Sequence, residues 1–271
     1  MGVVKIKETK TLIFTSFLLI ITIALRYKKI IKILTTMTAI LLISCTQQYS
    51  KTDGKMTAKN VIDVDLKTED KVNVKATFYK GDKEMPSIIL LHMLDRDRND
   101  WNEFAIQLQS LGYNVISIDL RGHGESSLSW SSSSDTDFNK MTLDVKAAKN
   151  FLVSNDIGSD IVIIGASIGA NVALNYAVKD NSIKTIILLS PGLSYRGVKT
   201  EETIKLFKNP ILIVAAEGDT YSADSSRALN SLSKNSVLKI YQGLEHGTSL
   251  FGKTDIDKII IDWLKDNLKD N

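Results

Sequence analysis

Four short apolar runs, separated by helical stretches, restrict the fold of this chain more than any other feature. SIILLH (87–92), DIVIIG (160–165), TIILLS (185–190) and PILIVAA (210–216) are apolar at consecutive positions, not at alternate ones. A strand buried on both faces reads this way. Between and after them lie segments with helical spacing, including 100–112, which stops at Gly112, 138–154 and the terminal 255–268. Such alternation predicts a parallel sheet covered by helices on both faces, in one domain. NVISIDL (114–120) and VLKIYQG (237–243) add two strands. VIDVDL (61–66) and VNVKATFY (72–79) alternate in polarity, as half-buried antiparallel strands do. The expectation is an α/β fold with a mostly parallel central sheet of about eight strands. No internal repeat interrupts it, and the serine-rich ESSLSWSSSSDTD (125–137) reads as a flexible surface loop.

The charge is unevenly distributed. The 271 residues carry a formal net charge of +3, but seven of the 34 basic residues and one of the 31 acidic residues precede Cys45. The remainder holds 27 basic against 30 acidic residues, a net of −3, so no positive field draws the body to nucleic acid. The basic excess belongs to a targeting pattern. Arg26, Lys28, Lys29 and Lys32 precede the apolar run ILTTMTAILLIS, which ends at Cys45. Charged, apolar and small-residue regions in that order make a secretory signal. The segment LISC (42–45) resembles the lipobox of bacterial lipoproteins. That resemblance implies lipidation of Cys45, the chain's one cysteine, and an exported protein held at a membrane of the bacterial cell envelope by its lipid. The expected organisation is a signal segment 1–45, a flexible tether 46–60 and a domain 61–271. Residues 11–25 form a further apolar stretch, short for a membrane span. Residues 1–25 read either as a membrane segment or as an over-extended start.

Chemistry concentrates in "IVIIGASIGANVAL" (161–174). A buried strand runs into Gly165-x-Ser167-x-Gly169 and then into a helix. Glycines on either side leave room for a sharp turn that lifts the serine hydroxyl above the sheet edge. The Ile168 N–H opens the following helix beside it. A nucleophilic serine needs a base and an acid. The chain holds three histidines, His92, His123 and His246. Only His246 follows the serine, in a loop after the last strand, which fits the order serine, acid, histidine. The acid is expected after ILIVAA, where AEGD supplies Glu217 and Asp219. Asp219 is preferred because it lies farther along the loop, with Glu217 as the alternative.

With these segments in place, residues 72–269 resemble the α/β-hydrolase family. DLRGHGES (119–126), GASIG (165–169), AEGD (216–219) and EHG (245–247) match its recognisable stretches, and LLHMLDRDRNDW (90–101) looks like its oxyanion loop. The resemblance implies a triad of Ser167, Asp219 and His246, with oxyanion N–H groups from Ile168 and Leu94. His92, Arg121 and His123 would be structural supports. Met93 stands where the family usually has glycine, so the loop is expected to differ locally and Met93 to line the pocket. The implied activity is ester hydrolysis through an acyl-enzyme on a small-molecule acyl substrate. A peptidase or thioesterase with the same triad, or a non-catalytic surface-binding lipoprotein, are the alternatives. No cofactor or metal motif occurs, and the sequence does not specify an oligomeric state. Only 19 residues (191–209) occupy the interval where large lids are inserted, so a minimal lid and an open site are expected.

Overall fold

The computed structural model describes residues 60–158 and 160–268. The expected signal and tether, Cys45 included, lie outside the described residues. Eight strands form one sheet: β1 (Val61–Lys67), β2 (Asn73–Tyr79), β3 (Ser87–Leu91), β4 (Asn114–Ile118), β5 (Ile161–Ala166), β6 (Ile183–Leu189), β9 (Ile211–Ala216) and β10 (Ser236–Tyr241). Their order is β1-β2-β4-β3-β5-β6-β9-β10. The first two pairings are antiparallel and all the others are parallel. Two two-residue strands, β7 (Ser194–Tyr195) and β8 (Val198–Lys199), form a separate antiparallel hairpin.

Strand side chains alternate between two cores, which explains why the central strands are apolar throughout. Ile89, Leu91 and Ile163 pack on one face, with helices α3 (Met141–Ser154), α4 (Ile168–Ala177), α5 (Glu201–Ile204) and α6 (Thr220–Leu232). Ile88, Leu90, Val162 and Ile164 pack on the other, with α1 (Asn102–Ser110) and α7 (Ile256–Asn267). Every residue of β3, β5 and β9 is buried. Each Ile or Leu removed from water in this way contributes about 1.5–3 kcal/mol. Charging any of these positions would leave an unpaired ion between sheet and helix.

Helix α1 ends where predicted. Gly112 takes φ +93, a backbone conformation that L side chains rarely adopt, and turns the chain into β4. Two expectations need correction. The segment 138–154 is not one helix: a short helix α2 (Asp135–Asn139) precedes α3, and Lys140 separates them. The serine-rich segment is not simply a loop. Ser134 caps α2 by accepting from the Asp137 N–H, and the Asp137 carboxylate accepts from the Ser134 N–H. The cap makes ordered structure from a composition that reads as a flexible surface loop.

The register brings the strand ends together. Leu91 pairs with Gly165, Ala166 with Leu189, Leu189 with Val214, and Ala216 with Tyr241. Parallel strands that end level deliver their following loops to one edge of the sheet. His92, Ser167 and Ser190 are the first residues beyond β3, β5 and β6, and Asp219 and His246 follow shortly after β9 and β10.

Candidate active site

Ser167 occupies a turn that only close packing sustains. Its φ of 55° and ψ of −121° lie in sparsely populated backbone space, at a cost of order 1–3 kcal/mol. The two glycines permit it. A Cβ at Gly165 would stand 2.2 Å from the Gly169 carbonyl oxygen, and one at Gly169 would stand 2.6 Å from the carbonyl oxygens of both Leu91 and His92. Strand β5 and helix α4 therefore meet backbone to backbone, and the serine sits at the apex.

The Asp219 Oδ2 atom lies 2.6 Å from His246 Nδ1. A carboxylate can only accept, so Nδ1 is the donor, and in the neutral ring the lone pair is then on Nε2. Asp219 is followed directly by α6, and Gly247 fastens the histidine loop by donating its N–H to Ser190 Oγ at 2.9 Å. Glu217 does not join them. Its carboxylate is bound by Arg227 on the exposed side of α6. The structure thus brings the expected Asp219 to the histidine, not the alternative acid.

Ser167 and His246 line one solvent-open cleft of about 490 Å³, together with Met93, Leu94, Arg96, Asp100, Thr248 and Ser249. Met93 is in the wall, as expected of a side chain in place of glycine. Its sulfur packs against Gly247, where a Cβ would stand 2.3 Å away, and Thr248 Oγ1 lies 3.9 Å from it. A glycine after the histidine accommodates the methionine before it.

His92 supports the loop that carries Leu94. The ring is fully buried, Nε2 accepts from the Leu120 N–H at 2.9 Å, and Nδ1 donates to the Met93 carbonyl at 2.6 Å. That second bond fixes the Met93–Leu94 peptide. In a trans peptide the Leu94 N–H points opposite to the bound carbonyl, away from the His92 ring. Burial lowers the His92 pKa to about 4 and keeps the ring neutral. His123 lies beside it, ring centroids 5.0 Å apart, and burial lowers its pKa also.

Two buried arginines brace the loops below the cleft. Arg98 pairs with Asp119 and Glu125 and donates its backbone N–H to Asp119 Oδ1 at 2.7 Å. This links the loop after β3 to the loop after β4. Arg121 pairs with Asp144 at 2.8 Å and Asp70 at 2.7 Å, which holds the Asp70 carboxyl down at about 2. His92, Arg121 and His123 all lie in such supporting positions, none of them in the cleft wall.

Sequence reasoning passed over Arg96, Asp100, Thr248 and Ser222. Asp100 receives Arg96 at 2.9 Å and the Thr248 hydroxyl at 3.2 Å, adding a polar stretch to the lining that also holds Met93 and Leu94. Ser222 Oγ lies 3.3 Å from His246 Nδ1. The Arg96–Asp100 pair had a signal, charges four apart at the start of a helical stretch. Ser222 had none. Among the described residues, no cluster of three His, Cys, Asp or Glu side chains is arranged to hold a metal ion.

A mostly parallel eight-stranded sheet with helices on both faces, bearing a serine on a strained strand-to-helix turn, defines the α/β-hydrolase fold. Within the chain, residues 83–206 match the family model described as serine aminopeptidase, S33. Solved structures align over most of the domain. An esterase from Pyrococcus furiosus, Pf2001, is 19% identical with a TM-score of 0.65, over 81% of this chain and 95% of that one. Est1E from Butyrivibrio proteoclasticus, solved with ferulic acid bound, is 16% identical with a TM-score of 0.67, over 76% of this chain and 100% of that one. An acetyl xylan esterase from Paenibacillus sp. R4 is 15% identical with a TM-score of 0.68, over 80% of this chain and 86% of that one. No curated protein matches the sequence.

Proposed function

We propose that the protein is a serine hydrolase that cleaves carboxylic esters or related acyl bonds through an acyl-enzyme on Ser167. One observation carries the reading: a serine at φ 55° shares a cleft with a histidine whose Nδ1 is 2.6 Å from a carboxylate. His246 Nε2 takes the Ser167 proton as the hydroxyl oxygen attacks the substrate carbonyl. Asp219 keeps the imidazole in the tautomer that presents Nε2 and stabilises its cationic form. The Ile168 and Leu94 N–H groups receive the tetrahedral oxyanion, each donor contributing on the order of 10²–10³ in rate. His246 then protonates the leaving group, and water, deprotonated by the same imidazole, releases the acid.

Ester cleavage is favoured over amide cleavage by the solved neighbours, several of which are described as esterases. The partial match to a serine aminopeptidase model keeps peptide cleavage as the second reading. Two measurements separate the classes. A fluorophosphonate probe labels Ser167 in any active serine hydrolase and leaves a non-catalytic binding protein unlabelled. Parallel assays on p-nitrophenyl acetate, an acyl thioester and an aminoacyl p-nitroanilide then rank the bonds. Turnover of the anilide above the ester would reverse the assignment.

We propose further that the protein is exported and anchored through Cys45. The support is the order of charged run, apolar run and LISC ending at Cys45. Two or more acyl chains hold a protein stably at a bilayer, at about 0.8 kcal/mol per buried CH₂. Mass spectrometry of the membrane-extracted protein should find an acylated Cys45 at the N-terminus. A mature chain retaining residues 26–44 would exclude it.

A further inference from the structure

His246 is held by more than its carboxylate. Ser222, fully buried in the first turn of α6, has its Oγ 3.3 Å from His246 Nδ1 and 2.9 Å from the Tyr195 hydroxyl. The Tyr195 ring stands at 89° to the imidazole, with centroids 6.3 Å apart. Tyr195 belongs to the β7–β8 hairpin, and that hairpin is fastened at several points. Tyr221 Oη accepts from the Ser194 N–H at 3.0 Å and donates to the Ser194 carbonyl at 2.9 Å. Leu193 N–H donates to Ser225 Oγ at 3.1 Å, and Asn171 Nδ2 donates to the Val198 carbonyl at 2.7 Å. Gly192 makes room for both rings: a Cβ there would lie 2.7 Å from the Tyr195 ring and 2.8 Å from that of Tyr221. The short hairpin in the place of a lid is a bracket that presses one tyrosine against the histidine.

From this arrangement we infer that Ser222 and Tyr195 are positioning residues for His246, forming a hydrogen-bonded chain that supports Nδ1 alongside Asp219. The direction of the chain follows from donor and acceptor capacity. The Nδ1 proton is committed mainly to Asp219, at 2.6 Å, and secondarily to Ser222 Oγ. An Oγ that accepts there directs its own proton to the Tyr195 oxygen. Tyr195 in turn has the Ser190 carbonyl, 3.4 Å away, as its acceptor. Each bond polarises the next, so positive charge on the imidazole strengthens the whole chain. Burial keeps the Tyr195 phenol protonated, with its pKa raised to about 12, so it remains a donor throughout the working range.

The inference rests on His246 acting as the base, and its test reads the histidine directly. Ser222→Ala and Tyr195→Phe, singly and together, are compared with Ser226→Ala, which removes from the same helix a buried hydroxyl that has no hydrogen-bond partner among the described residues. The His246 Nδ1 proton resonance should move in Ser222→Ala and in Tyr195→Phe and stay in place in Ser226→Ala. With p-nitrophenyl acetate, each of the first two should lower kcat about tenfold with KM unchanged, the size expected for one hydrogen bond to a group that becomes charged. The double variant should be no slower than Ser222→Ala, because both residues act through one chain. A resonance unmoved by Ser222→Ala, or losses that multiply in the double variant, would overturn the inference. Failure of the wild-type protein to react with the fluorophosphonate would overturn the hydrolase reading instead, while the resonance would still report the hydrogen bonds.

Discussion

Gly169 in the first turn of α4 touches the carbonyl of His92, and a methyl group added there would stand 2.6 Å from that oxygen. Helix α4 and the 92–94 segment are in backbone contact across the site. Gly169→Ala should therefore push the 92–94 segment outward. The expected cost is about 1–3 kcal/mol of stability, the range for overpacking a well-filled interior. Catalysis should suffer as well, because the displaced segment carries Leu94. Urea unfolding together with kcat measurement checks both. A fully active Gly169→Ala protein would show that Leu94 does not serve the oxyanion.

The two acids after β9 should separate sharply. Asp219→Asn leaves His246 without its carboxylate and favours the wrong tautomer, so kcat should fall on the order of 10³–10⁴. Glu217→Gln breaks an exposed pair with Arg227 and should change kcat less than about twofold. Steady-state kinetics on a single ester decides it.

Ser167 is predicted to be both essential and destabilising. Ser167→Gly removes the nucleophile and lets the backbone hold φ 55° without strain. The entropy of an added glycine offsets part of the gain, leaving about 1 kcal/mol, or a rise of about 2–4 °C in Tm for a domain of this size. Ser167→Ala should be inactive with no such gain. Calorimetry on the pair would expose a wrong account if Ser167→Gly melted first.

Acid should destabilise the fold through His92. Its pKa is about 4 when folded, against about 6.5 in an unfolded chain. Between those values the unfolded state binds the proton and the folded state does not, so stability falls as pH drops from about 6.5 to 4. Above that window the group contributes no pH dependence. The loss is at most about 1.4 kcal/mol per pH unit. Denaturation of wild type and His92→Gln at pH 7 and pH 4.5 isolates the effect, since other groups cancel in the difference. The variant should be the less pH-sensitive of the two.

Substrate size follows from the short interval at 191–209. The cleft of about 490 Å³ has Met93 and Leu94 as its apolar wall and is otherwise polar. A long acyl chain would find little surface to bury against, and burial is worth about 0.8 kcal/mol per CH₂. The kcat/KM for p-nitrophenyl esters should fall from acetyl or butyryl towards palmitoyl. A steady rise would mean that a part of the chain other than this interval covers the acyl group.

The fold was legible because the central strands are buried on both faces, so runs such as SIILL and IVIIGA are apolar throughout, and because they alternate with helical stretches. Ser167 and His246 were picked out for a related reason: motif and chain order both depend on where strands end, and the structure sets both residues in one cleft. Asp219 was preferred to Glu217 only for its place along the loop; its Oδ2 lies 2.6 Å from His246 Nδ1. What sequence missed was either too short to leave a pattern or brought together only by the fold. Strands of two residues leave no periodicity, so the β7–β8 hairpin was unreadable. Helix α2 was hidden by the serines that precede it, since its cap, Ser134 with Asp137, lies in a composition typical of loops. Ser222 is one hydroxyl in a polar helix turn, and only the approach of Tyr195 and His246 gives it meaning.

The fastening of the β7–β8 hairpin bears on the fate of a bound acyl group. A lid that closes shuts water out and lets a waiting alcohol or amine take the acyl group in its place. Here the bracket is tied to α4 and α6 and the cleft opens to solvent beside Ser167. A hairpin tied in this way would not swing over a bound substrate or dry the cleft after acylation. An acyl-enzyme built in this cleft would meet water first, which would favour breaking acyl bonds over moving them from one molecule to another.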